Sequence, residues 1–426
     1  MLITRDPRLA GRVAFTYPNF VSYTLARFFI VLALEMQSVA VGWKVYEITK
    51  RPLDLGYVGL AQFLPGFVLF LFAGHAADLF DRRKLLMWVY GGFALCSALL
   101  LVINRQAPTS VQWIYVVLVL LGIVRCFSFP VSRAILPHLV PAEHFSNAVA
   151  WNASTFQIAT IAGPALGGIA YALFHGPAAV YITAVAVSIL SVVMTFRIHP
   201  LAPSADPVEK EPGVKEPISV HTVLAGFGFI WEKKLILGSI SLDMFAVLLG
   251  GAVALLPIYA REILRTGPWG LGLLRSAPGV GAALMAIAVA HYPIRRRAGL
   301  TMLMCVAAFG ALTIVFGISH SLLLSLAALF LLGASDMVSV IIRATLVQVA
   351  TPDEMRGRVN AIDFLFIGVS NELGEFESGL TAQWFGTVNA VVLGGIGTLL
   401  VIAIWTWLFP ELRKADQLTV AELMPK

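Results

Sequence analysis

Twelve apolar segments, each long enough to cross a bilayer, constrain this chain more than any other feature. A helix needs about 20 residues to cross about 30 Å of hydrocarbon, and its backbone polar groups must be satisfied within the segment. The sequence therefore predicts an all-α membrane protein with twelve transmembrane helices in two pseudo-symmetric six-helix bundles. The predicted spans are residues 19–45, 55–76, 84–104, 111–133, 147–173, 177–197, 235–260, 269–292, 299–318, 321–343, 358–384 and 388–409.

The composition also indicates a lipid environment. The chain is 58% apolar and only 13% charged, against about 25% charged residues in soluble domains. We interpret the net charge of +6 as a signal of membrane orientation, so no nucleic-acid partner is expected. Cys96, Cys126 and Cys305 lie in apolar segments without metal-ligand spacing, which predicts packing roles, no metal site and no cofactor.

Lysine and arginine are distributed unequally between the two sets of predicted loops. One set holds 21 of these residues, including Arg343 at the end of the tenth span, and the other holds 6. Because cytoplasmic loops carry the excess of Lys and Arg, both termini are predicted to be cytoplasmic. In a bacterium this describes a multi-pass inner (plasma) membrane protein.

A polar stretch separates the two sets of spans. Residues 198–217 include four prolines between Pro200 and Pro212, a composition that predicts a linker without a core. The apolar spacing in residues 220–231 then fits either a short interfacial amphipathic helix or an extension of the seventh span. The predicted organisation is a bundle at 1–198, a linker with the interfacial helix at 199–234, a bundle at 235–410 and a cytoplasmic tail at 411–426.

The two halves resemble copies of one another. Leu34-Glu35-Met36 in the first span corresponds to Leu242-Asp243-Met244 in the seventh, and Pro65-Gly66 corresponds to Pro278-Gly279. Arg133-Ala134 at the end of the fourth span corresponds to Arg343-Ala344 at the end of the tenth. Parallel repeats of six helices are the architecture of one transporter superfamily, with a binding site near the bilayer midplane.

Ionisable residues inside the spans are functional candidates, because a charge in hydrocarbon costs at least about 2.5–3.5 kcal/mol. Glu35 and Asp243 hold matching places in the two repeats, so we expect them to face a shared cavity, with at least one coupling transport to protons. The alternative is that the acids form structural pairs with arginines in the spans. The candidates for proton coupling and for lining the cavity are Glu35, Asp243, Arg27, Arg125, Arg275, Asp336, Glu372 and Glu375.

Three sequence motifs resemble the major facilitator superfamily. Residues 74–84, GHAADLFDRRK, resemble its loop between the second and third helices: Gly74, Asp78, Arg82 and Arg83 match, while Leu79 and Asp81 depart from the usual Arg and Gly. The fifth span carries Gly163, Pro164, Gly167 and Gly168 of a motif associated with exporters that exchange substrate for protons. SNELGEFESGLTA at 370–382 resembles the enterobactin-exporter-like branch, the drug:proton antiporter-3 group.

The resemblance implies the major facilitator fold and alternating access. It implies that Asp78 is a cytoplasmic gate latch, although a charged loop that only sets topology is the alternative. The implied function is proton-coupled export of an amphipathic small molecule, siderophore-like or drug-like, with the bilayer and protons as further partners and a monomeric state. A lipid or lysophospholipid flippase is one alternative, and a non-transporting membrane scaffold or secretion effector is another.

No enzyme is predicted. The sequence has no HExxH motif, no nucleophile elbow and no Gly-rich phosphate loop after a strand. It also has no recognisable ATPase domain. An ion gradient or the gradient of the substrate itself is therefore the expected energy source.

Overall fold

The computed structural model describes residues 10–106, 110–199, 220–294 and 296–415, apart from the side chains of 70, 71, 73–75, 77–79, 220–225, 353, 354 and 361. Residues 200–219, which include most of the predicted linker, and the tail beyond 415 lie outside these residues. The described chain is helical and contains no strand. Its helices are α1 Pro18–Thr49, α2 Pro52–Leu79, α3 Arg82–Arg105, α4 Gln112–Ile135, α5 Phe145–Leu173, α6 Ala178–Phe196, α7 Val220–Glu232, α8 Lys234–Gly250, α9 Leu256–Ile258, α10 Pro268–His291, α11 Ala298–Gly317, α12 Leu322–Ala350, α13 Asp353–Phe385, α14 Thr387–Leu408 and α15 Pro410–Lys414.

The predicted all-α membrane architecture is confirmed. Eleven described segments are long and apolar enough to cross a membrane. The remaining predicted span, 358–384, corresponds to α13, which has 33 residues. Its length is sufficient, but its acids and arginines make it too polar to be recognised as a span by composition.

The seventh predicted span is a broken helix. Helix α8 ends at Gly250, and a 3-10 turn, α9 and a π turn complete the segment Lys234–Ile263. The Ser378 hydroxyl of α13 donates to the Gly251 carbonyl over 2.6 Å. A freed carbonyl must find such a donor inside protein, because lipid offers none.

Contacts divide the chain into two compact units. The first comprises Met1–Lys44 and Ala61–Pro217, and the second comprises Val45–Leu60 and Ile218–Lys426. The end of α1 and the start of α2 therefore pack with helices of the C-terminal half. We refer to Val45–Leu60 as the first hairpin.

The first unit is held together by close helix crossings. A Cβ added at Gly122 of α4 would lie 2.3 Å from the Gln62 carbonyl oxygen of α2, and one at Gly167 of α5 would lie 2.6 Å from that of Met36 in α1. Only glycine permits such an approach of two backbones. In the core of this unit the Ser97 hydroxyl donates to Gln37 Oε1 over 2.7 Å.

The second unit has the same kind of crossing between α10 and α12. A Cβ at Gly333 would lie 2.0 Å from the Pro278 carbonyl oxygen. Helix α7 is separated from α8 by Lys233 and packs on α13, where Phe227 and Phe366 meet edge to face at 5.6 Å. It is thus a helix of its own rather than an extension of the seventh span. The apolar face of α7 that the structure describes therefore contacts other parts of the protein.

The first hairpin fits against the second unit through small residues. A Cβ at Gly56 would lie 3.0 Å from Phe376 Cα, and one at Gly379 would lie 3.0 Å from the Gly56 nitrogen. The Tyr46 hydroxyl donates to Glu262 Oε1 over 2.5 Å. The hairpin therefore contacts both α13 and the π turn that ends the broken span.

Candidate functional site: a buried charge cluster in the second unit

Three helices of the second unit bring four charged side chains together. Arg343 of α12 lies between two aspartates: its Nη2 is 3.3 Å from Asp243 Oδ2 of α8, and its Nη1 contacts Asp363 Oδ1 of α13. Arg343 is only 3% exposed and Asp243 is 8% exposed. We call Asp243, Asp336, Arg343 and Asp363 the charge cluster.

The cluster is enclosed by apolar residues that follow the helical period. On α12, Val338, Ile342 and Leu346 are buried in one core with Leu242 and Ala246 of α8. A second core on the α7 side holds Val347, Val359 and Ile362. Desolvated ions are stable in such surroundings only when they are paired and hydrogen-bonded.

Asp336 is the member of the cluster without an ion pair to any described residue. It is partly buried on α12, two helical turns before Arg343 and on the same face. The charged groups that act on it are Asp243 and Arg343. The cluster therefore contains three acids and one base.

The guanidinium of Arg343 also retains an unused donor. Its Nε is buried and has no hydrogen-bond partner among the described residues. This N–H lies on the same edge of the guanidinium as Nη2, where a carboxylate can be bound by two parallel hydrogen bonds. Asp243 occupies one of these two positions.

Of the four members of this cluster, Arg343 is the one whose place was predicted wrongly. Assigning Arg343 to a cytoplasmic loop was wrong, because α12 continues to Ala350 and buries the side chain. Asp363 lies inside the eleventh predicted span, where the cost of a buried charge makes it a functional candidate like Asp243 and Asp336. The usable signal was the apolar spacing of Ile342, Leu346 and Val347 around Arg343, which is typical of a helix interior.

Glu372 and Glu375 form a separate acidic pair on α13. A Cβ at Gly59 of the first hairpin would lie 2.7 Å from Glu375 Oε2 and 3.3 Å from Glu372 Oε2. The two carboxylates therefore share one face of α13, as their spacing predicts. That face adjoins the start of α2.

In the first unit, Glu35 lies at the crossing of α1 and α5. A Cβ at Gly163 would meet the Glu35 Cβ at 2.4 Å, and Pro164 and Gly168 are buried in the same helix. The guanidinium of Arg27 lies 5.2 Å from the centroid of the Phe156 ring. Arg125 is exposed, and in the second unit Arg275 is partly buried; neither forms an ion pair with a described residue.

The predicted latch region is only partly described. Residues 74–79 belong to α2 and residues 82–84 begin α3, but the side chains of Gly74 and Asp78 lie outside the described residues. Arg82 contacts His138, and Arg83 donates to the Phe196 carbonyl. The latch role of Asp78 stays a prediction.

Among the described residues, no group of three or more His, Cys, Asp or Glu side chains could hold a metal ion. The three cysteines are free.

Comparison with known proteins places the chain among transporters. The family model described as transmembrane secretion effector matches residues 15–425. The enterobactin exporter EntS of Escherichia coli O1:K1 / APEC is 26% identical over 94% of both chains. The EntS of Citrobacter koseri is 27% identical over the same shares.

Two solved structures show the same fold at low sequence identity. A bacterial homolog of the human lysosomal transporter Spinster, in an inward-facing and occupied conformation, has a TM-score of 0.73 and 11% identity, covering 93% of this chain and 97% of that one. The nucleoside transporter NupG has a TM-score of 0.64 and 13% identity, covering 92% of this chain and 99% of that one.

Proposed function

Because the chain belongs to the transmembrane secretion effector family of major facilitator transporters, we propose that it exports an amphipathic small molecule in exchange for protons. The chain is a multi-pass membrane transporter rather than an enzyme. The proposed cargo is siderophore-like or drug-like, since relatives that match along nearly the whole chain are named enterobactin exporters.

The observation that carries the proton coupling is the charge imbalance of the cluster. Arg343 is buried between Asp243 and Asp363, and Asp336 adds a third acid nearby. A guanidinium stays charged at any physiological pH, so it offsets only one of the three carboxylates. Protonation is the simplest way to keep the remaining negative charge out of a low-dielectric interior.

The transport test uses the full-length protein in proteoliposomes that start with equal concentrations of iron-free enterobactin, or of a lipophilic cationic dye, inside and outside. We expect a pH gradient to drive either compound against its own gradient, and a protonophore to abolish that accumulation. Equilibrative movement that ignores the pH gradient would refute antiport while leaving a transporter. Binding without movement would support the scaffold alternative, and translocation of lysophospholipid alone would support a flippase.

We further propose that the protein acts as a monomer with both termini in the cytoplasm. The distribution of Lys and Arg supports this orientation. A single cysteine at Gln106 should then be labelled from outside intact cells, and one at Arg296 only after permeabilisation, in a background without the three native cysteines. Labelling of both from the same side would contradict the orientation.

A further inference from the structure

The three acids of the charge cluster differ in their contacts with Arg343. Two acids, Asp243 and Asp363, are bound to Arg343, and Asp336 has no ion pair with a described residue. Asp336 and Asp363 are both partly buried, while Asp243 is 8% exposed. An acid that exchanges protons needs some exposure and no permanent counter-ion, and of the three acids only Asp336 combines partial burial with the absence of an ion pair to a described residue.

The helices that pack around the cluster add little further charge. Helix α14 contains no ionisable side chain, and the thiol of Cys305 is the one ionisable group of α11. Helix α10 contributes Arg275 and the exposed His291, and neither forms an ion pair with a described residue. The exposed Glu232 ends α7. The described charges that act on Asp336 are thus those of Asp243 and Arg343.

We propose that Asp336 is the proton-exchange group of the transporter and that Asp243, Arg343 and Asp363 are the fixed partners that respond to its charge. This inference rests on the proposed proton coupling. When Asp336 binds a proton from water, the cluster carries one net negative charge, shared by two aspartates on one guanidinium. When the proton returns to water, a second negative charge appears beside Asp243.

The unused Nε–H of Arg343 stabilises the cluster when Asp336 is ionised. Asp243 Oδ2 lies 3.3 Å from Nη2, and the neighbouring Nε–H is buried and unused. Repulsion from ionised Asp336 drives the Asp243 carboxylate onto both donors, in the two-bond geometry that Arg favours. Because Asp243 belongs to α8 and Arg343 to α12, loss of the proton tightens the contact between these two helices.

Infrared difference spectroscopy of the full-length protein in lipid bilayers tests the assignment without any cargo. We expect a pH-dependent carbonyl band of a protonated carboxylic acid in the wild type. The band should be lost in Asp336→Asn and shifted in frequency in Asp336→Glu. Glu232→Gln, which removes an exposed acid outside the cluster, should leave it unchanged.

Asp243→Asn tests the role of the fixed partners. This variant leaves Arg343 neutralised by Asp363 and removes a negative charge near Asp336, so Asp336 holds its proton less tightly. The midpoint of the band should therefore move to lower pH by about one unit or more, the scale of one neighbouring charge at an effective dielectric constant of about 20. A purely structural role for Asp243 would leave the midpoint in place.

Three results would overturn the inference: a band that persists unchanged in Asp336→Asn, a band lost in Asp243→Asn, or the same spectrum in Asp336→Glu as in the wild type. The glutamate variant decides the case if the asparagine variant does not fold. A wild-type protein with the band but without proton-driven transport would refute the proposed function alone. Uphill transport by Asp336→Asn would refute this inference alone.

Discussion

Arg133 and Arg343 occupy corresponding places in the two repeats, yet they have opposite environments. Arg133, near the end of α4, is exposed, with its guanidinium 4.3 Å from the centroid of the Phe129 ring. Arg343, in the interior of α12, is 3% exposed and bound to two aspartates. One is a surface cation, and the other is part of a buried network.

The difference shows that the two repeats share the way their helix backbones cross but not the arrangement of their charged side chains. Asp243, the counterpart of Glu35, is tied to Arg343, whereas the Glu35 stem lies against Gly163. Both repeats contain close helix crossings. A duplicated scaffold can therefore carry a buried ion-pair network in one half, since the network depends on a few side chains and the scaffold on glycines.

Among the substitutions that test this difference, Arg343→Met should have the largest effect on the stability of the folded protein. It leaves Asp243 and Asp363 without their cation in a buried site, a change that typically costs about 3–5 kcal/mol. The matched variant Arg133→Met removes an exposed cation–π contact worth about 0.5–1 kcal/mol. Reversible unfolding in mixed micelles should show a clear loss of stability only for Arg343→Met.

A triple variant, Arg343→Met with Asp243→Asn and Asp363→Asn, supplies the control. Replacing all three charges removes the uncompensated carboxylates, so most of the lost stability should return. Equal stability of the two single arginine variants would mean that the pairing observed around Arg343 contributes nothing.

The sequence predicted the helices well because lipid imposes a simple rule on them. Each predicted span overlaps a helix, although α13 is more polar than the other spans, and the largest error at a helix end was at α12. There the span was terminated at Arg343, because a cation was assumed to mark the membrane surface. Helix α12 instead runs on to Ala350, since Asp243 and Asp363 offset the charge.

The candidate site was only partly predictable for a related reason. Asp243 and Asp336 could be identified as costly acids from composition alone, without a structure. Their partners depend on which helices meet, and that information is not in the local pattern. The break at Gly251 was likewise hidden, because Ser378 lies 127 residues away in the chain.

Glycine substitutions at the two corresponding crossings should have similar, intermediate effects. In Gly122→Ala and Gly333→Ala the new Cβ would lie 2.3 Å and 2.0 Å from a backbone oxygen of the facing helix. Since backbone cannot move aside cheaply, we expect each to cost about 1–3 kcal/mol, measured by unfolding in the same micelles.

Gly91→Ala and Gly368→Ala are the controls for the two units. Both glycines are helical, and an added Cβ would meet nothing within 4 Å. These variants should be neutral or slightly stabilised, because alanine favours the helix by up to about 1 kcal/mol. If only one of Gly122→Ala and Gly333→Ala lowers the stability, the two halves differ in their helix packing as well.

The smallest expected effect concerns the first hairpin, where corresponding hairpins of the two repeats are joined. Tyr46 donates to Glu262, and Arg261 Nη1 lies 4.0 Å from Glu47 Oε1. The ion pair is partly exposed, so it contributes little. The hydrogen bond to a charged acceptor is worth more, and Tyr46→Phe should cost about 1–2 kcal/mol.

This loss should be local rather than global. Hydrogen exchange of the backbone amides in residues 53–60 should accelerate in Tyr46→Phe while exchange in α12 stays unchanged, because local opening costs less than unfolding. Tyr292→Phe, at a side chain that is 83% exposed, should change neither. Faster exchange throughout the second unit would instead mean that the hairpin is part of the core of that unit. The hydrogen bond of Tyr46 would then stabilise the whole unit rather than the hairpin alone.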